Sequence, residues 1–330
     1  MAVAQTSRER FHATMRYGAP DRVPCLEEGL RDDVLDRWKQ QGLPPGADLD
    51  AMFHYDRREL LPVDIRFRPD LKKFPTSRRG LRALRRRLDP DDPGRFPDDW
   101  AKQAAAWRTR DHILQFQVHR GFFLSMGVGD WTGFARAVYQ LADSPRLVRE
   151  IMEMHAQFAV HLAEKVLAEV DVDFASFSEP IGGSGPPLLS PRCYEEFVLS
   201  NYLPVIDVLH RRGVETIALV TYSDVRAYIP MLLKAGINCL WISEANSEAI
   251  DYRELRREFG RDLRLIGGID LDVLLLGKEE IRREIETKVP PLLAEGGYIP
   301  LADGRVRANV PFEGYAYYRR VLEEVTRRRI

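Results

Sequence analysis

Short runs of β-branched and aromatic residues recur along the chain, each bounded by breakers. Eight stand out: RVPCLEE (22–28), LLPVDIRF (60–67), HILQFQVH (112–119), VDFASFS (172–178), TIALVTY (216–222), NCLWISE (238–244), LRLIGGI (263–269) and GYIPLAD (297–303). Helical patterns separate most of them, and from residue 170 onward the spacing suits βαβ units. Ser144-Pro145 and Ser190-Pro191 each open a helix: Ser caps, and Pro takes the first helical position, where no N–H is needed. Gly213 stands where a left-handed C-terminal cap belongs. Pro204 should kink or divide the helix it lies in. Eight strands alternating with helices predict a (β/α)8 (TIM) barrel as a single domain over 1–330. It would carry an N-terminal helical extension and an excursion near 68–111, where Arg, Asp and Pro concentrate. The alternative is a doubly wound open sheet, but no GxGxxG or GxxxxGK[ST] follows any strand.

In such a barrel the reacting groups lie at the carboxyl ends of the strands. Those ends are acidic here. The first carries Glu27 and Glu28, the fourth Glu179, the sixth Glu244, the seventh Asp270 after Gly267-Gly268, and the eighth Asp303. The fifth ends in Thr221, Tyr222, Ser223 and Asp224, and Asp224 is also placed to cap the helix beginning near Arg226. A ring of carboxylates implies that some are protonated, or that a cation or cationic substrate neutralises them. A hard divalent cation prefers such oxygen ligands. Taken singly, each acid also has a bland reading as a helix cap or an arginine's partner.

Composition narrows the field. The chain has 330 residues, 45% of them hydrophobic and 30% charged, with a net charge of −1. That balance gives no electrostatic case for nucleic acid or an anionic membrane. The arginine cluster RRGLRALRRR (78–87) reads as a solvated helical face beside DPDD (89–92). Three cysteines, Cys25, Cys193 and Cys239, form no CxxC pair and fit a reducing compartment. The N-terminus lacks the apolar core of a signal peptide, and no apolar run is long enough to span a bilayer, so a cytoplasmic protein is expected. No HExxH or GxSxG occurs, and of the seven histidines only His119 ends an expected strand. The cysteines lie at a strand start, inside a strand and in a helix, which argues against a thiolate zinc site.

The order SRERFHATMRYGAPDRVP, RGFFLSMG, DSPRLVREIM, GPPLLSPRCYEEFVLSNYLPVIDVLHRRGV, TYSDVRAYIPMLLKAGIN, LRLIGGIDLDVLLLGKEEI and GGYIPLADGRVRANVPFEGYAYYRRVLEEV resembles the uroporphyrinogen decarboxylase superfamily over nearly the whole chain. The resemblance implies a (β/α)8 barrel. The haem-pathway branch of that superfamily holds its polycarboxylate substrate with an arginine-rich motif of the form M-R-Q-A-G-R. The corresponding region here, RVPCLEEGLRDD, is acidic, so electrostatic complementarity to that substrate is missing. APDRVP and GGYIP…VPFEGYAYY are more similar to the methyltransferase-like branch. Characterised members there activate a thiol with zinc held by a His-x-Cys pair after the fifth strand and a Cys near the eighth. This chain has Tyr222-Ser223-Asp224 and Ala302-Asp303-Gly304 instead, so that site does not carry over. A related subgroup has His-Ser-Asp-Gly at the fifth strand; Ser223 and Asp224 match it, while Tyr222 and Val225 do not.

The resemblance implies methyl transfer from a small methylated substrate to a corrinoid cofactor carried by a partner protein. In that picture Glu179, Asp224 and Glu244 form an acidic pocket that holds a cation or protonated substrate and supplies a general acid. Tyr222 and Ser223 would donate hydrogen bonds to substrate, Trp131 would wall the pocket, and Glu27, Asp270 and Asp303 would line it. Two alternatives stand beside it. One is a decarboxylase or lyase acting on a small carboxylate or tetrapyrrole, with Arg305 and Arg307 as cations. The other is a non-catalytic corrinoid- or tetrapyrrole-binding scaffold. The superfamily also suggests a homodimer, which no residue pattern addresses.

Overall fold

The computed structural model describes residues 4–71, 73–182, 185–243 and 250–327. Seven parallel strands form one curled sheet in sequence order. They are β1 Arg58–Leu60, β2 Ile113–His119, β3 Phe174–Glu179, β4 Ile217–Thr221, β5 Cys239–Ile242, β6 Arg264–Ile266 and β7 Tyr298–Ile299. Each pairs with the next in parallel register, such as Phe177 with Leu219 and Leu240 with Leu265. A bulge between Gln117 and His119 re-aims the end of β2.

The expected eight-stranded barrel is corrected in one respect: the ladder among the described residues has seven strands and does not close. The expected first strand, 22–28, makes only isolated links. Val306 N donates to Gly29 O at 2.9 Å on one side, and Asp56 N donates to Cys25 O at 2.8 Å on the other. Two features account for this. Pro24 has no N–H, and the Cys25 N–H goes to the Asp56 carboxylate at 2.7 Å. The second expected strand also shifts. LLPVDIRF leaves the sheet after Leu60, as Pro62 cannot donate to a ladder.

The curled sheet has two buried faces. Ile113, Phe174, Ala218, Cys239, Trp241, Ile266, Ile299 and Leu301 form one apolar cluster drawn from β2 to β7 and the residues just after it. Residues from so many strands meet only on the concave side, so this is the lumen. Phe11 and Met15, from the helix Ser7–Met15, complete the cluster and plug its floor. The alternate residues of the same strands, among them Ala175, Phe177, Leu219, Leu240 and Leu265, join the larger core beneath the outer helices.

Several helix starts follow the expected chemistry. Ser190 Oγ accepts the Cys193 N–H, with Pro191 in the first turn. Ser144 precedes Pro145 without such a bond. Gly213 adopts φ +79°. The helix containing Pro204 is preceded by a π turn, Glu195–Leu199. The excursion after β1 is organised by Arg95, which donates to the carbonyls of Asp64 (3.0 Å), Arg87 (2.6 Å) and Asp89 (3.1 Å) and to that of Arg66.

Candidate functional site

Strand period sorts the side chains at the carboxyl ends. On β3, Phe174, Ser176 and Ser178 alternate with Ala175, Phe177 and Glu179. Since Phe174 is in the lumen and Ala175 and Phe177 are in the outer core, Ser176 and Ser178 face inward and Glu179 faces outward. The same parity carries Ala218 and Val220 of β4 toward Tyr222, Trp241 of β5 toward Ser243, and Leu301 toward Asp303. The lumen therefore changes from apolar at its floor to polar at its mouth.

Arg58 lies at that change. It donates to Gln115 Oε1 at 2.5 Å and to Glu27 O at 3.3 Å, and its guanidinium stands 5.1 Å from the Trp241 ring centroid. Gln115 passes the chain on to Ser176 Oγ at 2.8 Å. Burial lowers the Arg58 pKa, and the nearby Glu28 charge opposes that fall. Above it, Glu28 accepts from Ser243 Oγ at 2.6 Å and from Gly304 N at 3.1 Å. Asp303 is buried and accepts from Gly268 N at 2.8 Å. Burial lifts the Asp303 carboxyl well above its ordinary range; the Gly268 bond pulls it back, and Glu28 adds to the rise. A Cβ on Gly267 would lie 2.4 Å from Asp303 Oδ1, so the glycine at φ +110° permits this approach. The arrangement sets a buried carboxyl of raised proton affinity beside a second carboxyl group, a pattern suited to proton transfer.

The acidic ring expected around that mouth is divided. Glu179, fully buried, accepts from Phe122 N at 2.8 Å and from Tyr202 Oη in the outer layer. Burial raises its pKa to about 7 against the pull of those two bonds. Glu27 pairs with Arg319 and accepts from Tyr318 Oη at 2.8 Å. Asp224 is half-buried, and its Oδ1 accepts the Arg226 N–H at 2.9 Å, as a residue opening a helical turn does. Asp270 likewise accepts from Asp272 N at 2.8 Å. Ser223 is fully buried, and its hydroxyl has no hydrogen-bond partner among the described residues. Trp131 is 78% exposed and packs beside Phe134. Tyr222 is half-buried. Glu244 lies outside the described residues. Arg305 is exposed, and Arg307 pairs with Asp272.

Arg58, Gln115, Ser176 and Ser243 were not among the residues expected from sequence. A signal for two of them was present. ILQFQVH and FASFSE place polar residues two apart inside otherwise buried strands, which marks a polar inner face. Arg58 gave none, because its strand is three residues long.

Among the described residues, no three His, Cys, Asp or Glu side chains group so as to hold a metal ion. Cys239 is on the lumen floor, its thiol pushed up to about 12 by burial. Cys25 is bound by Arg319 on the far side of Glu27. The donors at the mouth are oxygens and a guanidinium, which do not fit a thiolate zinc site. Among the described residues, no helix is long and apolar enough to cross a membrane.

No curated protein matches the chain. Among solved structures, a methyltransferase from Methanosarcina mazei superposes with a TM-score of 0.67 at 15% identity, covering 97% of this chain and 99% of that one. At that identity the likeness is one of fold. The model of the uroporphyrinogen decarboxylase (URO-D) family matches residues 124–301, from the segment after β2 through β7 to Leu301, just short of Asp303. That span is more than half the chain, and the chain belongs to the URO-D family.

Proposed function

We propose that this chain is an enzyme of the URO-D family that transfers a methyl group from a small methylated compound. The reading rests on the Asp303–Glu28 mouth, with the fold likeness to a methyltransferase in support. A methyl group bound to a heteroatom leaves more readily when the heteroatom is protonated. Asp303, its proton affinity raised by burial, gives its proton to that atom as the carbon–heteroatom bond breaks. The bonding pair stays on the heteroatom, and the methyl group passes to the acceptor. The co-substrate would be a reduced corrinoid on a partner protein, whose chemistry is to accept the methyl group as a nucleophile. Glu28, fixed by Ser243 and Gly304, lies close enough to raise the Asp303 proton affinity. Tyr222 and Ser178 point by strand parity into the space where substrate would lie, and Trp241 offers it an aromatic wall.

The test incubates purified protein with cob(I)alamin and a panel of methylated amines, ethers and thioethers. Loss of the cob(I)alamin absorbance with equal release of demethylated product is the expected result. Asp303→Asn should lower the rate by about 10²- to 10⁴-fold with the fold intact. No turnover on any compound, or full activity in Asp303→Asn, would sink the reading.

A second reading is favoured by Arg58. A guanidinium in the lumen is suited to a substrate carboxylate, as a decarboxylase on a small acid requires. Release of carbon dioxide from candidate acids, abolished in Arg58→Gln, would displace methyl transfer in its favour.

A further inference from the structure

A cavity of 530 Å³ opens between the excursion, at Phe67, Leu71 and Lys73 to Thr76, and the segment 120–136 after β2. Its lining includes none of the lumen residues described above. Phe67, Leu71, Phe74 and Leu124 give it apolar walls, and the rings of Phe67 and Phe74 stand edge to face with centroids 6.3 Å apart. Arg120, Arg136 and Lys73 bring three cations.

Arg120 is the distinctive group in this lining. It is half-buried, yet it makes no hydrogen bond or ion pair with any described residue. Burial lowers its pKa, Arg66 pushes the same way, and Asp64 and Asp70 oppose them from a distance. Its guanidinium opens on the cavity and has no described partner there, so it is free to pair with an anionic ligand. Arg136 is fixed in the same lining. Its guanidinium lies 4.5 Å from the Phe74 ring centroid and donates to Met126 O at 2.5 Å. Of the two acids in the lining, Asp130 is taken up in capping the helix Trp131–Asp143 through Gly133 N at 2.6 Å. Asp70 is exposed. The cavity has the size and the apolar-with-few-polar character of a small-molecule site.

We infer that this cavity binds a small organic carboxylate, its charged end paired with Arg120 and its apolar body against Phe67 and Phe74. The cavity shares no lining residue with the surroundings of Asp303, so the inference stands whether or not methyl transfer is the reaction.

Isothermal titration of the full chain with benzoate, hexanoate, benzyl alcohol and inorganic phosphate tests it. Benzoate or hexanoate should bind saturably at one site, and benzyl alcohol and phosphate at least tenfold more weakly. Arg120→Gln should weaken carboxylate binding at least tenfold without lowering the melting temperature, since Arg120 holds no described residue in place. Arg120→Lys should retain part of the binding, and Arg58→Gln should leave it unchanged. Photolabelling with 4-azidobenzoate, mapped by mass spectrometry, gives an answer that needs no variant: label should fall within 67–76 or 120–136. Absence of saturable carboxylate binding, binding that survives Arg120→Gln, or label confined to other segments would overturn the inference.

Discussion

Glu179→Gln probes the outer layer most directly. Glu179 is fully buried, and burial lifts its carboxyl from 4.5 to about 7 despite bonds from Tyr202 and Phe122 N. The folded chain therefore holds a proton there that the unfolded chain releases between roughly pH 4.5 and 7. Where the folded state binds more protons, stability falls as pH rises. Its contribution is fully present below pH 4.5 and is lost as pH passes through 7. At 1.36 kcal/mol per pH unit, the loss across that window is about 3 kcal/mol. A glutamine amide keeps an acceptor for Phe122 N and carries no titrating proton. Urea unfolding of both proteins from pH 4.5 to 8 measures the difference. Other buried groups titrate in both proteins and cancel, including His155, which burial holds at about 4. The stability of wild type relative to the variant should decline by about 3 kcal/mol between pH 4.5 and 8. A difference constant to within about 0.5 kcal/mol would show that the two hydrogen bonds outweigh burial, and would refute the reasoning.

Three further outcomes follow from the same accounting. Asp173 is buried against Arg8, His12 and Arg110; burial favours its neutral form, but these partners and Leu114 N hold it at about 2. Its stabilisation is present above its ordinary range and is lost as pH falls toward 2, so Asp173→Asn should cost about 3–5 kcal/mol at pH 7 and flatten acid unfolding below pH 4. Gly267→Ala would place Cβ 2.4 Å from Asp303 Oδ1 at φ +110°; urea unfolding should show a loss of about 1–3 kcal/mol. Arg319→Met would strand the Glu27 carboxyl, with a cost of about 3–5 kcal/mol that a second change, Glu27→Gln, should largely restore in a double-mutant cycle.

Six of the eight expected strands appear within a few residues of where their apolar runs stand, because a β-branched run between breakers has few other stable states. The two that moved are governed by contacts distant in sequence. Asp56 takes the Cys25 N–H that a ladder would have used, and the excursion draws the chain away after Leu60. The candidate site was less legible. Asp303 is marked by its place at a strand end and lies at the mouth with its carboxyl shifted upward, whereas Arg58 and Ser243 carry no such mark in the sequence. Glu179 closes a strand as expected, but on the face that meets Tyr202.

The sequence by itself determined that parallel strands alternate with helices, that the strand ends are rich in oxygen, and that no His-x-Cys pair follows TIALVT. These follow from residue type and spacing alone. Only the tertiary structure decided which acids meet. Side chains on a strand alternate between lumen and outer layer, so one residue of phase sends Glu179 to Tyr202 while Asp303 comes within reach of Glu28. Burial then divides their roles, since the charge a carboxyl can carry depends on the water and partners left around it.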